Sequence, residues 1–329
     1  MSFVHVTGHA SVLWTPVSHA TIAAACHNGF GEHARLVACE AVTHGGFNTI
    51  YRVHMAAHEP VVLRVSPPRR APLLRHEREL LAREAAVHAR LASIGPVIPR
   101  ILHQDFSCTT LPRPYLFLEH RRGQPWDDVA PRIAPAQAAS LWSEFGNHVR
   151  KIHAIEGEAF GSPLRGEGRA SHAEWLLSLF DDLATDLAER KLLVPGLTEF
   201  RIALQQRREQ LELHTPPRLV HGDLWPRNVL VTRERGGWRL SAILDAERAF
   251  WSEPAAEWIF SHLEIPPAFW EAYGADLSPG RLDGDAALRT LVYRARGALQ
   301  LVLQCYRSGA SAAFALARFR ACAREFARH

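Results

Sequence analysis

The first third of the chain consists of short apolar runs separated by turn residues, the pattern of strands joined by tight turns. The strand-like runs cover residues 34–41, 47–55, 60–65, 100–104 and 115–119. Among them, residues 73–93 carry leucine and valine at helical spacing, and a shorter helix is predicted at 20–26. The turn residues between the first three runs predict a β-meander.

A polar bend at residues 120–123 separates this part from one dominated by helical periodicity. Apolar residues recur at helical spacing over 138–152 and again over 288–302. One β-rich interruption is predicted, a hairpin formed by residues 228–232 and 239–244. The chain is therefore predicted to be an α+β protein with a small sheet-containing lobe over 1–118 and a larger helical lobe over 119–329.

With 47% of its residues hydrophobic, the chain can bury a sizeable core, and its length of 329 residues suits either one large domain or two lobes that share a cleft. No apolar stretch is long enough to span a membrane, and the opening segment does not resemble a signal peptide, so a cytoplasmic location is expected. The five cysteines are scattered without CxxC pairs, which argues against disulfides or a zinc ribbon. Arginine supplies all but two of the 38 basic residues without forming long runs, so nucleic acid is not an expected partner despite the net charge of +4.

Candidate chemistry is concentrated in the polar segment HGDLWPRN, residues 221–228, which an apolar strand follows directly. A second carboxylate, Asp245, follows Asp223 by 22 residues, and the predicted hairpin would return it close to Asn228. Carboxylate and carboxamide oxygens at one cleft edge suit Mg²⁺. Phosphoryl transfer requires such a cluster, because it depends on positioning and charge neutralisation more than on covalent chemistry by the protein.

The same segment could be an ordinary surface turn, since glycine, aspartate, proline and asparagine all favour turns. Its position between the apolar pairs Leu219-Val220 and Val229-Leu230, with a second aspartate after a hairpin, favours a functional loop. Other catalytic signatures do not occur in the sequence: it has no GxxxxGK(S/T), no HExxH and no GxSxG. The 19 histidines match no standard metal-site spacing.

These features together resemble the aminoglycoside phosphotransferase family, which comprises antibiotic and small-molecule kinases with the protein-kinase-like fold. The resemblance extends in order along nearly the whole chain, through Gly45-Gly46, the strand 61–64, the helix bearing Glu84, the hinge at 115–119, the HGDxxxxN loop and Leu244-Asp245. It implies a bilobal fold and an enzyme that uses ATP or GTP to phosphorylate a hydroxyl group of a small molecule.

The resemblance also implies roles for individual residues. Asp223 would orient the acceptor hydroxyl and take its proton, while Asn228 and Asp245 would hold Mg²⁺. Glu119 and His120 lie at the hinge that would receive the nucleobase. The expected protein is a monomer or homodimer that binds no membrane.

Arg64 departs from the protein-kinase pattern, in which a lysine contacts the phosphates and pairs with a helix glutamate. Arginine keeps the charge and can make bidentate phosphate contacts, although a solvated strand arginine is the alternative. Glu84 is the candidate partner, with Glu77 and Glu79 as competitors on the same predicted helix. Gly45-Gly46 lacks a full GxGxxG, so the segment fits either an ordinary hairpin turn or a loop that covers the nucleotide phosphates.

Glu253 and Glu257 occupy positions where the family usually carries aspartates. They would either brace the catalytic loop by hydrogen bonds or cap a helix that starts near Pro254. The sequence leaves both interpretations open.

The acceptor is the part that the sequence predicts least. Many arginines offset the negative charge of the aspartates in the helical lobe. A strongly cationic acceptor is therefore disfavoured, and a neutral or aromatic hydroxylated molecule is favoured. The arginine bias suggests a setting of antibiotic resistance, with a nucleoside antibiotic of the capuramycin type as one acceptor. The HGDLW segment also resembles fructosamine-kinase-like proteins, so a sugar kinase is an alternative, as is a catalytically silent nucleotide-binding module.

Overall fold

The protein folds into two lobes, as a computed structural model shows. The structure describes residues 2–4, 13–42 and 47–329, the first of these segments by its backbone alone. Gly45 and Gly46 lie outside the described residues, so the structure does not bear on the predicted phosphate cover.

A sheet forms the centre of the small lobe. Its strands are β1 (Ser2–Val4), β2 (Leu36–Val42), β3 (Thr49–Met55), β4 (Val61–Val65), β5 (Ile101–Asp105) and β6 (Tyr115–Glu119). Their spatial order is β1-β2-β3-β4-β6-β5, in which β1 pairs with β2 in parallel and all other neighbours are antiparallel. Strands β2 to β6 match the five predicted runs, whereas β1 is too short to give a periodic signal in the sequence.

Two helices accompany this sheet, α1 (His19–Phe30) and α2 (Leu80–Ala92). Alternate residues of β3 are buried, and Tyr51 and Val53 share an apolar core with Ile22 of α1. Burial of each such side chain contributes about 1.5–3 kcal/mol, which favours packing of the helix on the sheet.

The helix predicted over residues 73–93 begins only at Leu80, so its first part is wrong. Glu79 has a left-handed backbone with φ of 56°, which interrupts helical geometry before α2. The preceding segment is held by tertiary contacts: the Glu77 carboxylate accepts a hydrogen bond from the Leu74 amide at 3.0 Å and pairs with Arg307 at 2.7 Å. These contacts outweigh the local helical propensity.

Helices dominate the large lobe. They are α3 (Trp126–Val129), α4 (Pro135–His153), α5 (His172–Glu189), α6 (Leu197–Gln206), α7 (Trp258–His262), α8 (Pro267–Tyr273), α9 (Gly284–Ser308) and α10 (Ala313–Arg328). The strands of this lobe are β7 (Gln124–Pro125), β8 (Arg218–Val220), β9 (Val229–Glu234), β10 (Gly237–Ile243) and β11 (Phe250–Ser252). The predicted hairpin is confirmed as the antiparallel pair β9 and β10, and β7 adds to the β9 edge.

Two apolar cores fill the large lobe. Phe180, Phe319 and Phe326 belong to the core between α5, α6, α9 and α10. Phe145 and Phe269 belong to the second core, which joins α4 and α8 to the hairpin. The second core therefore supports the strand that follows the HGDLWPRN loop.

The predicted α+β class, with a small sheet lobe and a larger helical lobe, is confirmed. The predicted boundary after residue 118 falls inside β6, and its position stays a prediction. Within the residues that the structure describes, no helix has the length and apolarity needed to cross a lipid bilayer.

The close contact between α4 and α8 gives a first prediction. A Cβ atom at Gly146 of α4 would collide with the backbone carbonyl of Phe269 in α8. We expect Gly146→Ala to lower the free energy of unfolding by about 1–3 kcal/mol, because the two helices must separate. Urea denaturation measures this change.

Gly280→Ala is the matched control, because a Cβ there meets no described atom within 4 Å. Its free energy of unfolding should change by less than about 0.5 kcal/mol. Equal stability of the Gly146→Ala variant and the native protein would contradict the described packing.

Candidate active site

The predicted trio of Asp223, Asn228 and Asp245 comes together at the base of the β9–β10 hairpin. Asn228 Nδ2 donates to both the backbone carbonyl and Oδ2 of Asp223, each at 2.9 Å. The Leu244 amide donates to the Asn228 carbonyl at 2.8 Å, which brings the start of the Asp245 segment beside the loop. The hairpin thus returns the second aspartate to the first, as its register requires.

Glu257 fixes the backbone of the loop. Its fully buried carboxylate accepts hydrogen bonds from the amides of His221 and Gly222, both at 3.0 Å. His153 Nε2 lies 3.4 Å from the same carboxylate, and its Nδ1 lies 2.9 Å from the hydroxyl of Tyr273. The Glu257 side chain therefore braces the loop, as one of its two interpretations predicted, and makes no hydrogen bond that would cap α7.

Glu253 makes different contacts. Its carboxylate accepts from Arg289 Nε at 2.7 Å and Nη2 at 3.1 Å, and from the Tyr293 hydroxyl at 2.7 Å. Arg289 and Tyr293 belong to α9, so Glu253 ties the segment before α7 to that helix. It does not contact the loop, and neither predicted role describes its contacts.

Gly222 is the position in the loop where only glycine fits. Its φ of +77° lies in the left-handed region, and a Cβ atom would lie 2.5 Å from the carbonyl oxygen of Arg248. The loop therefore runs against the backbone of the segment that follows Asp245. This contact sets how closely the two aspartate-bearing segments approach each other.

Asp223 has an unusual environment for a carboxylate. Burial raises its pKa to about 6, while Arg248 and the hydrogen bond from Asn228 act in the opposite direction and Asp245 adds to the increase. A carboxylate with a raised pKa is a stronger proton acceptor than a solvated aspartate.

A buried cluster around Arg64 joins the sheet to this loop. Arg64 Nη1 donates to Glu84 at 2.8 and 3.0 Å, and Nη2 lies 2.5 Å from Glu247. The same Nη2 contacts Asp245. Asn48 Nδ2 donates to Glu247 at 2.5 Å. Arg64 therefore pairs with Glu84, and not with Glu77 or Glu79, which were the competitors in the sequence.

The Arg64 cluster holds three carboxylates against one guanidinium. Burial raises the pKa of Glu84 and of Glu247 to about 7, against the opposing effect of Arg64. Asp245 Oδ1 is buried and is the oxygen that contacts Arg64 Nη2. Three carboxylates against one guanidinium leave an excess of negative charge, and these oxygens, together with the carboxamide oxygen of Asn228, are of the kind that suits a divalent cation.

Two cavities border the loop. The interlobe cavity has a volume of about 620 Å³ and contains Glu119, His120, Asn228 and Asp245 in its wall, together with apolar residues of both lobes such as Leu230.

The arginine-lined cavity has a volume of about 490 Å³ and lies on the other side, with Gly222, Arg248 and Trp258 in its wall. Asp223 follows Gly222 directly in a loop whose Gly222 lines the arginine-lined cavity and whose Asn228 lines the interlobe cavity.

Comparison with known proteins identifies the family. The sequence model of the phosphotransferase enzyme family, APH, matches residues 38–291. The chain belongs to this family. The predictions of the family and of an enzyme that transfers phosphate to a hydroxyl group of a small molecule are confirmed. Among proteins of curated function, none matches the sequence.

Solved structures with a similar fold include three with known or assigned activities. The aminoglycoside phosphotransferase APH(4)-Ia, in complex with AMP-PNP and hygromycin B, is 18% identical with a TM-score of 0.64, over 94% of this chain and 99% of that one. APH(2″)-IIa with gentamicin is 13% identical with a TM-score of 0.60, over 96% and 98%. A protein of Thermobifida fusca described as a fructosamine-3-kinase is 20% identical with a TM-score of 0.61, over 94% and 99%. These similarities confirm the predicted protein-kinase-like fold.

Sequence reasoning missed two members of the Arg64 cluster, Asn48 and Glu247. The spacing Asp245-Ala246-Glu247 puts a second carboxylate two residues after the first, and this was the available signal. Asn48 gives no signal, because it meets Glu247 across 199 residues of sequence.

The contacts of Glu257 generate the prediction for this site. Gln at position 257 keeps one acceptor oxygen but loses the charge, so one of the two loop amides loses its buried partner. We expect Glu257→Gln to lower the free energy of unfolding by about 1–3 kcal/mol, measured by urea denaturation.

Glu271→Gln is the control, since Glu271 is an exposed carboxylate on α8. If both variants unfolded at the same urea concentration as the native protein, Glu257 would not hold the loop.

Proposed function

We propose that this enzyme transfers the γ-phosphoryl group of ATP or GTP to a hydroxyl group of a small molecule, with Asp223 as the proton acceptor. The observation that carries the proposal is the hydrogen bond of Asp223 to Asn228 beside the Asp245 segment, in a loop whose Gly222 lines one cavity and whose Asn228 lines the other. The nucleotide would occupy the interlobe cavity; APH(4)-Ia, a protein of similar fold, is described in complex with the nucleotide analogue AMP-PNP. The acceptor would occupy the arginine-lined cavity.

In the proposed reaction, the acceptor oxygen attacks the γ-phosphorus and forms a new P–O bond as the bond to the β-phosphate oxygen breaks. The hydroxyl proton passes to the Asp223 carboxylate, and the nucleoside diphosphate leaves. Bound Mg²⁺, held by Asn228 and Asp245, would neutralise phosphate charge. Asn228 also orients Asp223 through its two hydrogen bonds to that residue.

Arg64 would contact the phosphates of the nucleotide. Its pairing with Glu84 holds the guanidinium in place, and its contact with Asp245 puts it next to the proposed metal ligand. Glu119 and His120, which line the interlobe cavity, would border the nucleobase. Gly45-Gly46 would cover the phosphates.

The biological role that we propose is inactivation of a hydroxylated antibiotic in the cytoplasm by a monomer or homodimer. Hygromycin B and gentamicin are bound by two proteins of similar fold, which supports an antibiotic acceptor. The fructosamine-3-kinase assignment of a third supports a sugar-derived acceptor as the second candidate. The resemblance of the HGDLW segment to fructosamine-kinase-like proteins supports the same candidate. The ring centre of Trp225, in this segment, lies 4.2 Å from that of Trp258, which lines the arginine-lined cavity.

A screen of acceptors tests the proposed function. The panel contains aminoglycosides, a nucleoside antibiotic of the capuramycin type, sugar amines and simple sugars, each with Mg²⁺ and either ATP or GTP. Mass spectrometry detects addition of one phosphate group. Transfer to none of the acceptors, together with no hydrolysis of either nucleotide, would contradict the proposal.

Substitution of Asp223 tests the proton acceptor. Asp223→Asn keeps the size of the side chain but removes its basic oxygen, so we expect turnover to fall by at least about 100-fold. Nucleotide affinity, measured with AMP-PNP by calorimetry, should change little, since the interlobe cavity stays intact.

Asp181→Asn is the control for charge loss, because Asp181 is an exposed residue of α5 paired with Arg201. Turnover by Asp223→Asn equal to that of this control would show that Asp223 is not the proton acceptor.

Substitution of Asp245 tests the metal site. Asp245→Asn removes a charged oxygen ligand, so the Mg²⁺ concentration for half-maximal turnover should rise by at least about tenfold. A Mg²⁺ titration of turnover at saturating nucleotide measures it. An unchanged titration curve would argue against Asp245 as a ligand.

A further inference from the structure

The walls of the arginine-lined cavity carry an excess of positive charge. Four arginines from α2, α9 and two loops line it, namely Arg83, Arg169, Arg248 and Arg296. The same wall contains two carboxylates, Glu167 and Asp182. A fifth, Arg75, is already neutralised by Asp186 at 2.7 Å and Glu189 at 2.5 Å. The cavity therefore keeps a net positive charge beside Asp223.

The four arginines other than Arg75 form no salt bridge within the described residues, although the charge of Arg248 opposes the effect of burial on the pKa of Asp223. In the part of the chain that the structure describes, no carboxylate forms a salt bridge with Arg83, Arg248 or Arg296. The Nε atoms of Arg83 and Arg296 are buried without a hydrogen-bond partner. Arg83 Nη1 makes one long hydrogen bond, to the His76 carbonyl at 3.4 Å, and the Arg296 guanidinium lies 4.9 Å from the Phe250 ring centre.

The ionisable groups of the cavity respond to this excess. Burial lowers the pKa of Arg296 to about 10, and Arg248 and Arg83 lower it further while Tyr293 and Glu257 oppose them. Burial also holds the pKa of His76 well below its ordinary value, and Arg248, Arg296, Arg83 and Arg307 act in the same direction. His76 is therefore neutral, and its environment is dominated by guanidinium groups.

The two carboxylates do not cancel this charge at close range. Glu167 accepts a hydrogen bond from the Ser162 hydroxyl at 2.6 Å, and Asp182 lies 4.0 Å from Arg75. Arg83, Arg248 and Arg296 are half-buried, and carboxylates and phosphates are the groups that match the geometry of a guanidinium. An anion in this cavity would supply the missing partners.

We propose that the acceptor is a hydroxylated molecule with an anionic group, a carboxylate or a phosphate ester, which Arg83, Arg248 and Arg296 bind while the hydroxyl faces Asp223. This inference rests on the proposed function, because it assigns the class of acceptor for the same site. Trp175 and Trp258 in the cavity wall provide apolar surface for a ring in the remainder of the molecule. Polycationic aminoglycosides are the wrong charge for this site.

The first test measures anion binding directly. The full-length protein is saturated with AMP-PNP and Mg²⁺, so that the nucleotide site is filled, and is titrated separately with inorganic phosphate and with acetate by calorimetry. We expect the native protein to bind at least one of them and Arg296→Gln to bind it at least about tenfold more weakly. The anion that binds more tightly distinguishes a phosphate ester from a carboxylate.

Two controls keep this test decisive. Arg239→Gln removes an exposed arginine of β10 that pairs with Glu144 outside the cavity, and it should bind like the native protein. The unfolding temperature of Arg296→Gln without anion should not fall, because the substitution removes a half-buried guanidinium that forms no salt bridge within the described residues. Binding of neither anion by the native protein, or equal affinity in Arg296→Gln, would overturn the inference.

The second test separates this inference from the proposed function. Matched sugars that differ in one substituent, a hydroxyl, amine, carboxylate or phosphate ester, are compared by kcat/KM with Mg²⁺ and ATP. We expect an anionic member to exceed the neutral and amine members by at least about tenfold, and Arg296→Gln to remove this advantage.

A higher kcat/KM for the amine or neutral member would overturn the anionic acceptor and leave phosphoryl transfer established. If no sugar were phosphorylated, the calorimetric comparison would decide on the anion site, and the wider acceptor screen would decide on the proposed function.

Discussion

The Arg64 cluster is the constraint on which the arrangement of the two lobes depends. One buried guanidinium contacts a helix of the small lobe through Glu84, and the segment after the hairpin through Asp245 and Glu247. Removal of a single partner from such a cluster costs about 3–5 kcal/mol, because the remaining charges stay buried without compensation. The sheet, α2 and the HGDLWPRN loop are therefore positioned as one unit, even though they are far apart in sequence.

Both lobes contribute to the positions of the two aspartate-bearing segments. Glu257 anchors the loop backbone from the large lobe, whereas Arg64 anchors the Asp245 segment from the small lobe. Gly222 allows these two segments to touch, since any side chain there would collide with Arg248. The geometry between Asp223 and Asp245 thus reflects contributions from both lobes.

The sequence was sufficient to predict the local elements and the loop. Period-two and helical patterns identified strands β2 to β6 and the hairpin, because these elements bury one face and so carry a periodic signal. The predicted start of α2 was wrong, since Glu77 lies before the helix and pairs with Arg307, which is 230 residues away in the sequence. Glu247 and Asn48 were missed for the same reason: their roles come from tertiary contacts that leave no local pattern. The positive charge of the arginine-lined cavity could not be predicted either, because its arginines come from α2, α9 and two loops that only the fold brings together.

Arg83 and Glu84 are neighbours on α2, yet they serve different cavities. Glu84 lines the interlobe cavity and pairs with Arg64, whereas Arg83 lines the arginine-lined cavity. A small rotation or shift of this one helix would change both sites at once. Occupation of either site would then alter the affinity of the other by the same factor, so donor and acceptor would bind with thermodynamic coupling rather than independently.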